Sequence, residues 1–178
     1  MSKSRPLRHA VVARSPAHPA RGTLRFGNLT YPCALGPAGI VPLKREGDGG
    51  TPMGVWRIVG MLYRPDKVAP PRAHVPVRPI APGDGWCDAP GDPNYNRPVD
   101  LPYPASHERL WRDDGLYDVV VVLDYNLARR SQGRGSCIFM HIARPGLSPT
   151  AGCVALARQD LLRLLAAPHP PEAVEIVG

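Results

Sequence analysis

Short apolar segments separated by Pro, Gly and polar clusters recur along most of the chain, with the spacing expected of strands. Candidate strands run over Arg8 to Ala13, Gly22 to Phe26, Leu29 to Leu35, Gly54 to Leu62, Tyr117 to Asp124, Cys137 to Ile142, Gly152 to Leu156 and Ala173 to Val177. Gly27-Asn28 marks a tight turn between the second and third. Val119-Val120-Val121-Val122-Leu123 is continuously apolar and β-branched, the pattern of a strand covered on both faces. Only Arg158 to Ala166 carries a helical stripe, formed by Leu161, Leu162, Leu164 and Leu165 and stopped by Pro168. The pattern predicts a mainly β fold, a sandwich or mixed sheet, with one short helix near the C-terminus.

Periodicity lapses at about residues 63–116, a Pro-rich and polar stretch. Loops of that length are uncommon unless they cover a site, so an insertion forming a lid or binding surface is expected, with a helical turn around His107 to Trp111.

At 178 residues the chain is the size of one domain, spanning 1–178, and a monomer is expected. The 23 prolines and 18 glycines are spread along it, which favours strands and loops over helices. No apolar run approaches the roughly 20 residues of a membrane span. The apolar run Ala10 to Ala13 stops at Arg14, short of an export signal, so the location expected is the cytoplasm. A location outside the cytoplasm would require a different start site or another export route. The net charge is +7, and eight Lys or Arg, Lys3 and Arg5 among them, fall in the first 45 residues. Basic and apolar residues alternate there, as in Thr23-Leu24-Arg25-Phe26, which reads as the solvated face of a strand. No nucleic-acid motif accompanies the charge, and no nucleic-acid partner is expected.

Cys33, Cys87, Cys137 and Cys153 form no CxxC or CxxH pair, so reduced thiols are expected, and the first three are assigned to packing. Asp88, Asp92, Asp113 and His107 are too irregularly spaced to suggest a metal site, and no cofactor is expected. Gly47, Gly49 and Gly50 lack the GK[ST] continuation of a phosphate loop and read as a turn.

Cys153 is the residue with chemical promise. A cysteine attacks carbonyls as the thiolate and needs a base beside it; His141, twelve positions earlier at the end of an apolar run, is the candidate. Pro145, Gly146 and Pro149 let the intervening chain turn so that the two lie within hydrogen-bond reach. Gly152 would admit a substrate carbonyl, and the N–H groups of Gly152 and Cys153 would form an oxyanion hole. A catalytic thiol of this kind would label fast near neutral pH, whereas a packing cysteine would not. Arg144 and Arg134 are candidates for holding substrate carboxylates through bidentate guanidinium forks. Trp86, Tyr95, Asn96, His107, Glu108 and Trp111 are expected to line the cleft, and Lys44 to contact substrate.

"KREGDGGTPMGVWRI" (Lys44 to Ile58), His141, "TAGCVAL" (Thr150 to Leu156) and the following "DLLRLL" helix together resemble the L,D-transpeptidase catalytic domain family, the YkuD domain. His141, Thr150, Gly152, Cys153 and Val154 match the family motif. The spacer is shorter than usual, Ala151 stands where a histidine is usual, and Ala155 where a polar residue is usual. The resemblance implies a mostly β fold, no metal, and peptidoglycan stem peptides or muropeptides as substrates. It implies a two-step acyl transfer in which Cys153 forms a thioester, D-alanine leaves, and an amine resolves the intermediate. Resolution by water would make the protein an L,D-carboxypeptidase of wall recycling. A wall-peptide-binding module without catalysis is the third reading, supported by Ala151 and Ala155.

Overall fold

A computed structural model describes residues 8–178; Lys3 and Arg5 of the basic segment lie outside the described residues. The chain runs β1 (His9–Ser15), β2 (His18–Phe26), β3 (Leu29–Ala34), β4 (Ile40–Val41), β5 (Thr51–Pro52), β6 (Gly54–Tyr63), β7 (Val77–Pro79), β8 (Asp84–Cys87), β9 (Arg97–Asp100), β10 (His107–Arg109), β11 (Val119–Leu123), β12 (Phe139–Ile142), β13 (Val154–Leu156), α1 (Arg158–Leu165) and β14 (Ala173–Val177). The fold is mainly β with a mixed sheet, and its one described α-helix follows Cys153.

The main sheet has the order β11-β12-β13-β3-β2-β1-β14-β6-β7, and β11 also pairs antiparallel with β6, Val121 facing Met61. Eight strands therefore close on themselves, which leaves their backbone groups no free edge. Side-chain alternation then assigns two faces. Val119, Val121, Leu123, Met140, Ile142, Val154 and Leu156 join the inner cluster, which Leu161, Leu164 and Leu165 of α1 also enter. Val120, Val122, Phe139 and Cys153 point the other way, into a second cluster with Trp86, Leu110, Leu116 and Tyr117. Both faces of β11 are thus buried, which is why its run contains no polar position. On β2 the alternation is Arg21, Thr23 and Arg25 exposed against Gly22 and Leu24 buried, a solvated strand face.

The Pro-rich stretch is more ordered than its sequence suggests. β8, β9 and β10 form a three-stranded antiparallel sheet in the order β10-β8-β9. The helical turn expected at His107 to Trp111 is corrected: His107, Glu108 and Arg109 pair as a strand with Cys87, Trp86 and Gly85. Strands this short carry too few residues to show a period of two, and distant pairing decides their conformation. Trp86 packs edge-on against Phe139 at 5.1 Å, seating this small sheet on the outer face of β12. The Arg64 guanidinium lies 3.7 Å from the Trp111 ring centroid at the insertion's edge. Among the described residues no helix is long and apolar enough to cross a membrane.

Candidate active site

β12 and β13 are parallel neighbours, with Met140 beside Val154 and His141 beside Ala155. Parallel neighbours require a crossover rather than a hairpin. Residues 143–153 supply it through a 3-10 turn at Pro145–Leu147, tied to β2 by the Arg21 guanidinium donating to the Gly146 carbonyl at 2.6 Å. The outward alternation of β12 carries Cys137, Phe139 and His141, and Cys153 sits at the mouth of β13. His141 and Cys153 consequently border one cavity of about 180 Å³, nearly closed off at 6% and 7% exposure.

Their protons are held apart at rest. The Cys153 thiol donates to the Cys137 carbonyl at 3.1 Å, and its sulfur accepts the Phe139 N–H at 3.4 Å. The two groups share a cavity, as their spacing suggested, but the resting thiol is turned toward a carbonyl and among the described residues no hydrogen bond joins it to the imidazole. Burial pushes the Cys153 thiol up to about 12 against the Phe139 N–H, which favours the thiolate; the Glu108 charge adds to the rise and the Lys44 charge opposes it. The ring of His141 has Nδ1 2.8 Å from the Ile142 carbonyl, which fixes the tautomer with Nδ1–H donating and leaves Nε2 as the base. Burial lowers its pKa to about 4, so the imidazole is neutral at pH 7. Tyr117 packs edge-on against that ring at 5.3 Å.

The loop ahead of Cys153 is braced rather than open. Thr150 Oγ1 donates to the Cys153 carbonyl at 2.7 Å and accepts the Gly152 N–H at 3.1 Å. Gly152 thus has no N–H left for an oxyanion hole, which corrects that expectation. Its missing side chain serves packing: φ is +137°, and a Cβ would fall 2.7 Å from the Gly50 carbonyl oxygen. Gly50 belongs to the "EGDGG" turn, in which Asp48 accepts the Gly50 N–H at 2.8 Å and the Lys44 ammonium at 2.5 Å. Lys44, expected to touch substrate, is buried behind the site with its ammonium closing this turn.

Among the other expected residues, Arg144 borders the cavity and makes no ion pair among the described residues, and Thr150 borders it too. Trp86, Tyr95 and Asn96 do not line it, because they are buried beneath it. Asn96 Oδ1 accepts Trp86 Nε1–H at 3.0 Å and the Cys137 N–H at 3.1 Å, so it welds the insertion to the segment leading into β12. Tyr95 donates its hydroxyl to Glu46 at 2.5 Å. His107 stands off the cavity with Nδ1 2.7 Å from the Ala105 carbonyl, Trp111 stacks on Arg64, and Arg134 lies in a separate depression beside Trp56 and Tyr125. Aromatic and amide residues in an insertion read as cleft lining from sequence; here they are the insertion's own core.

Glu108 does border the cavity. Sequence reasoning missed Glu46, Arg112, Tyr117 and Ser136, and considered Asp88 only as a metal ligand; all five border the cavity as well. The available signal was position: Arg112 and Tyr117 flank the junction between the insertion and the β11 run. Cavity chemistry therefore combines two thiols, a neutral imidazole, three carboxylates and two guanidiniums. Among the described residues no group of three His, Cys, Asp or Glu is placed to hold a metal ion, and all four cysteines are free.

No curated protein sequence matches the chain. The family model described as the L,D-transpeptidase catalytic domain (YkuD) matches residues 21–176, which span β2 to β14 and include every residue bordering the cavity. With that match over most of its length, and a cysteine and histidine on one cavity wall, the chain belongs to the L,D-transpeptidase catalytic domain family.

Proposed function

We propose that the protein is a cysteine acyltransferase acting on peptidoglycan stem peptides, with Cys153 as nucleophile, His141 as its base and an amine as acceptor. The observation that carries this reading is the placement of His141 on β12 and of Cys153 immediately before the adjacent parallel β13, both bordering one cavity, with Nε2 of the imidazole unengaged by the Nδ1 bond to Ile142.

With the thiol near 12 and the imidazole near 4, a thiolate–imidazolium pair at rest would lie on the order of 10 kcal/mol above the neutral pair before their attraction is counted. The neutral pair is the ground state, and deprotonation accompanies attack. Substrate entry turns the thiol from the Cys137 carbonyl toward His141 Nε2; the imidazole takes the proton as sulfur bonds to the peptide carbonyl carbon. The Phe139 N–H remains on the sulfur as negative charge develops there. The Cys153 N–H is the backbone donor offered to the carbonyl oxygen, since that of Gly152 is engaged. His141 returns the proton to the departing D-amino acid, leaving a thioester. Arg144, which makes no ion pair among the described residues, is suited to the carboxylate of that leaving residue.

Mass spectrometry of a purified disaccharide-tetrapeptide incubated with the protein and excess D-amino acid tests the reading. Replacement of the terminal D-alanine is expected with the wild type and not with Cys153→Ala. Loss of D-alanine without incorporation would replace transfer by hydrolysis, and an unchanged tetrapeptide would refute the substrate.

A further inference from the structure

Three carboxylates border the cavity, and two of them, both half-buried, are incompletely partnered. Glu46 is satisfied, accepting the Tyr95 hydroxyl at 2.5 Å and the Ser136 hydroxyl at 2.8 Å. Glu108 has only distant contacts, the Tyr117 hydroxyl at 3.4 Å and an Arg112 nitrogen at 3.7 Å. The Arg112 guanidinium is itself forked onto Asp114 at 2.6 and 3.0 Å. Asp88 has Oδ1 shielded from solvent with no hydrogen-bond partner.

Register sets these last two side by side. Cys87 faces His107, and the Asp88 N–H continues the ladder to the Ser106 carbonyl at 3.2 Å. Asp88 and Glu108 are thus diagonal neighbours on one face of the β8–β10 pair, and that face borders the cavity. Two adjacent anions, one an orphan, describe a place for a cation. Burial and the Asp88 charge raise the Glu108 pKa above the ordinary glutamate value while Arg112 pulls it down, so the carboxylate is a better proton acceptor than one in water.

An amine acceptor brings such a cation. At neutral pH it arrives as an ammonium with no lone pair, and must lose one proton before nitrogen attacks and a second afterwards. His141 accounts for only one of these, the one it returns to sulfur. We propose that Asp88 and Glu108 form the ammonium site for the acceptor amine, Asp88 holding the charge and Glu108 accepting the first proton. The assignment rests on the acyl-transfer reading above. In the step, R–NH3+ gives a proton to the Glu108 carboxylate and the free nitrogen attacks the thioester carbonyl carbon. The C–N bond forms, the C–S bond breaks, and the second nitrogen proton passes through His141 Nε2 to the Cys153 sulfur. Glu108 then releases its proton to solvent. Water carries neither the charge nor the extra proton, so this pair would set the choice between amine and water.

The test uses the full chain with disaccharide-tetrapeptide as donor, and deuterium-labelled D-alanine or hydroxylamine, which is uncharged at pH 7, as acceptor. The thioester on Cys153 is recorded first by intact mass. Asp88→Asn and Glu108→Gln should each lower the ratio of labelled exchange to hydrolysis by about ten-fold, as expected when one member of a half-buried charge contact is neutralised. The ratio of hydroxamate to hydrolysis should change far less, which also shows that the variants are folded. Unchanged exchange ratios, or equal falls for both acceptors, would overturn the assignment. Absence of a thioester on the wild type would overturn the acyl-transfer reading itself, and the assignment with it.

Discussion

The Cys153 thiol donates its hydrogen bond to the Cys137 carbonyl at 3.1 Å, and among the described residues none joins it to His141. Cys137 adopts φ +52°, a left-handed conformation disfavoured for a residue with a Cβ. Its N–H is held by Asn96 Oδ1 at 3.1 Å, so the residue whose carbonyl receives the thiol is anchored from the insertion side. The resting site is a parked thiol beside a ready base.

A parked, desolvated thiol reacts slowly. Alkylation of Cys153 by iodoacetamide, followed by mass spectrometry of the Cys153 peptide, should be slow at pH 7 and climb about ten-fold per pH step to pH 9 without a plateau, because its pKa lies near 12. Fast labelling at neutral pH, the mark of a thiol already activated at rest, is not expected here. An inflection below pH 8 would show an activated thiolate at rest.

His141 links stability to acid. Its pKa falls from 6.5 to about 4 on folding, so the unfolded chain binds the proton more tightly. The sign follows: its contribution is full above pH 6.5 and is lost as pH drops through 4, amounting to about 3 kcal/mol over that window. Urea unfolding at pH 7 and pH 4 should show the loss in the wild type and a correspondingly smaller one in His141→Gln.

Gly152→Ala should destabilise the fold by about 2–4 kcal/mol, combining strain at φ +137° with the clash of Cβ against the Gly50 carbonyl oxygen. Gly146→Ala, whose Cβ meets nothing within 4 Å, should lose far less despite φ +73°. Thermal unfolding of the two variants measures the difference.

Asn96→Ala leaves the Trp86 indole N–H, the Cys137 N–H and the Tyr125 carbonyl without their shared partner, and should lower stability by about 2–4 kcal/mol. It also frees the Cys137 peptide, so Cys153 alkylation at pH 7 should accelerate in the folded variant.

Legibility divided along physical lines. The eight strands of the closed sheet and α1 were readable because each carries a periodicity or a β-branched run dictated by its own burial. The short strands β8 to β10 were not, because Asp, Gly, Pro, Arg, His and Glu leave them no apolar run and their conformation comes from pairing. Cys153, His141, Thr150 and Arg144 were found as bordering one site, since motif and spacing place them there. Trp86, Tyr95 and Asn96 were misplaced because an interior aromatic or amide has the same letters as one lining a cleft. Asp88 was named only for a metal and Tyr117 not at all, because their positions depend on how the insertion folds over β11 and β12.

The central claim is that Cys153 becomes acylated with His141 as its base. Intact-mass analysis of the protein mixed with disaccharide-tetrapeptide and quenched in acid tests it most directly. The account predicts an adduct of the donor lacking D-alanine, mapped to Cys153, forming about 10²- to 10⁴-fold more slowly in His141→Gln. Turnover of the tetrapeptide by Cys153→Ala, or an adduct on another residue, would contradict it.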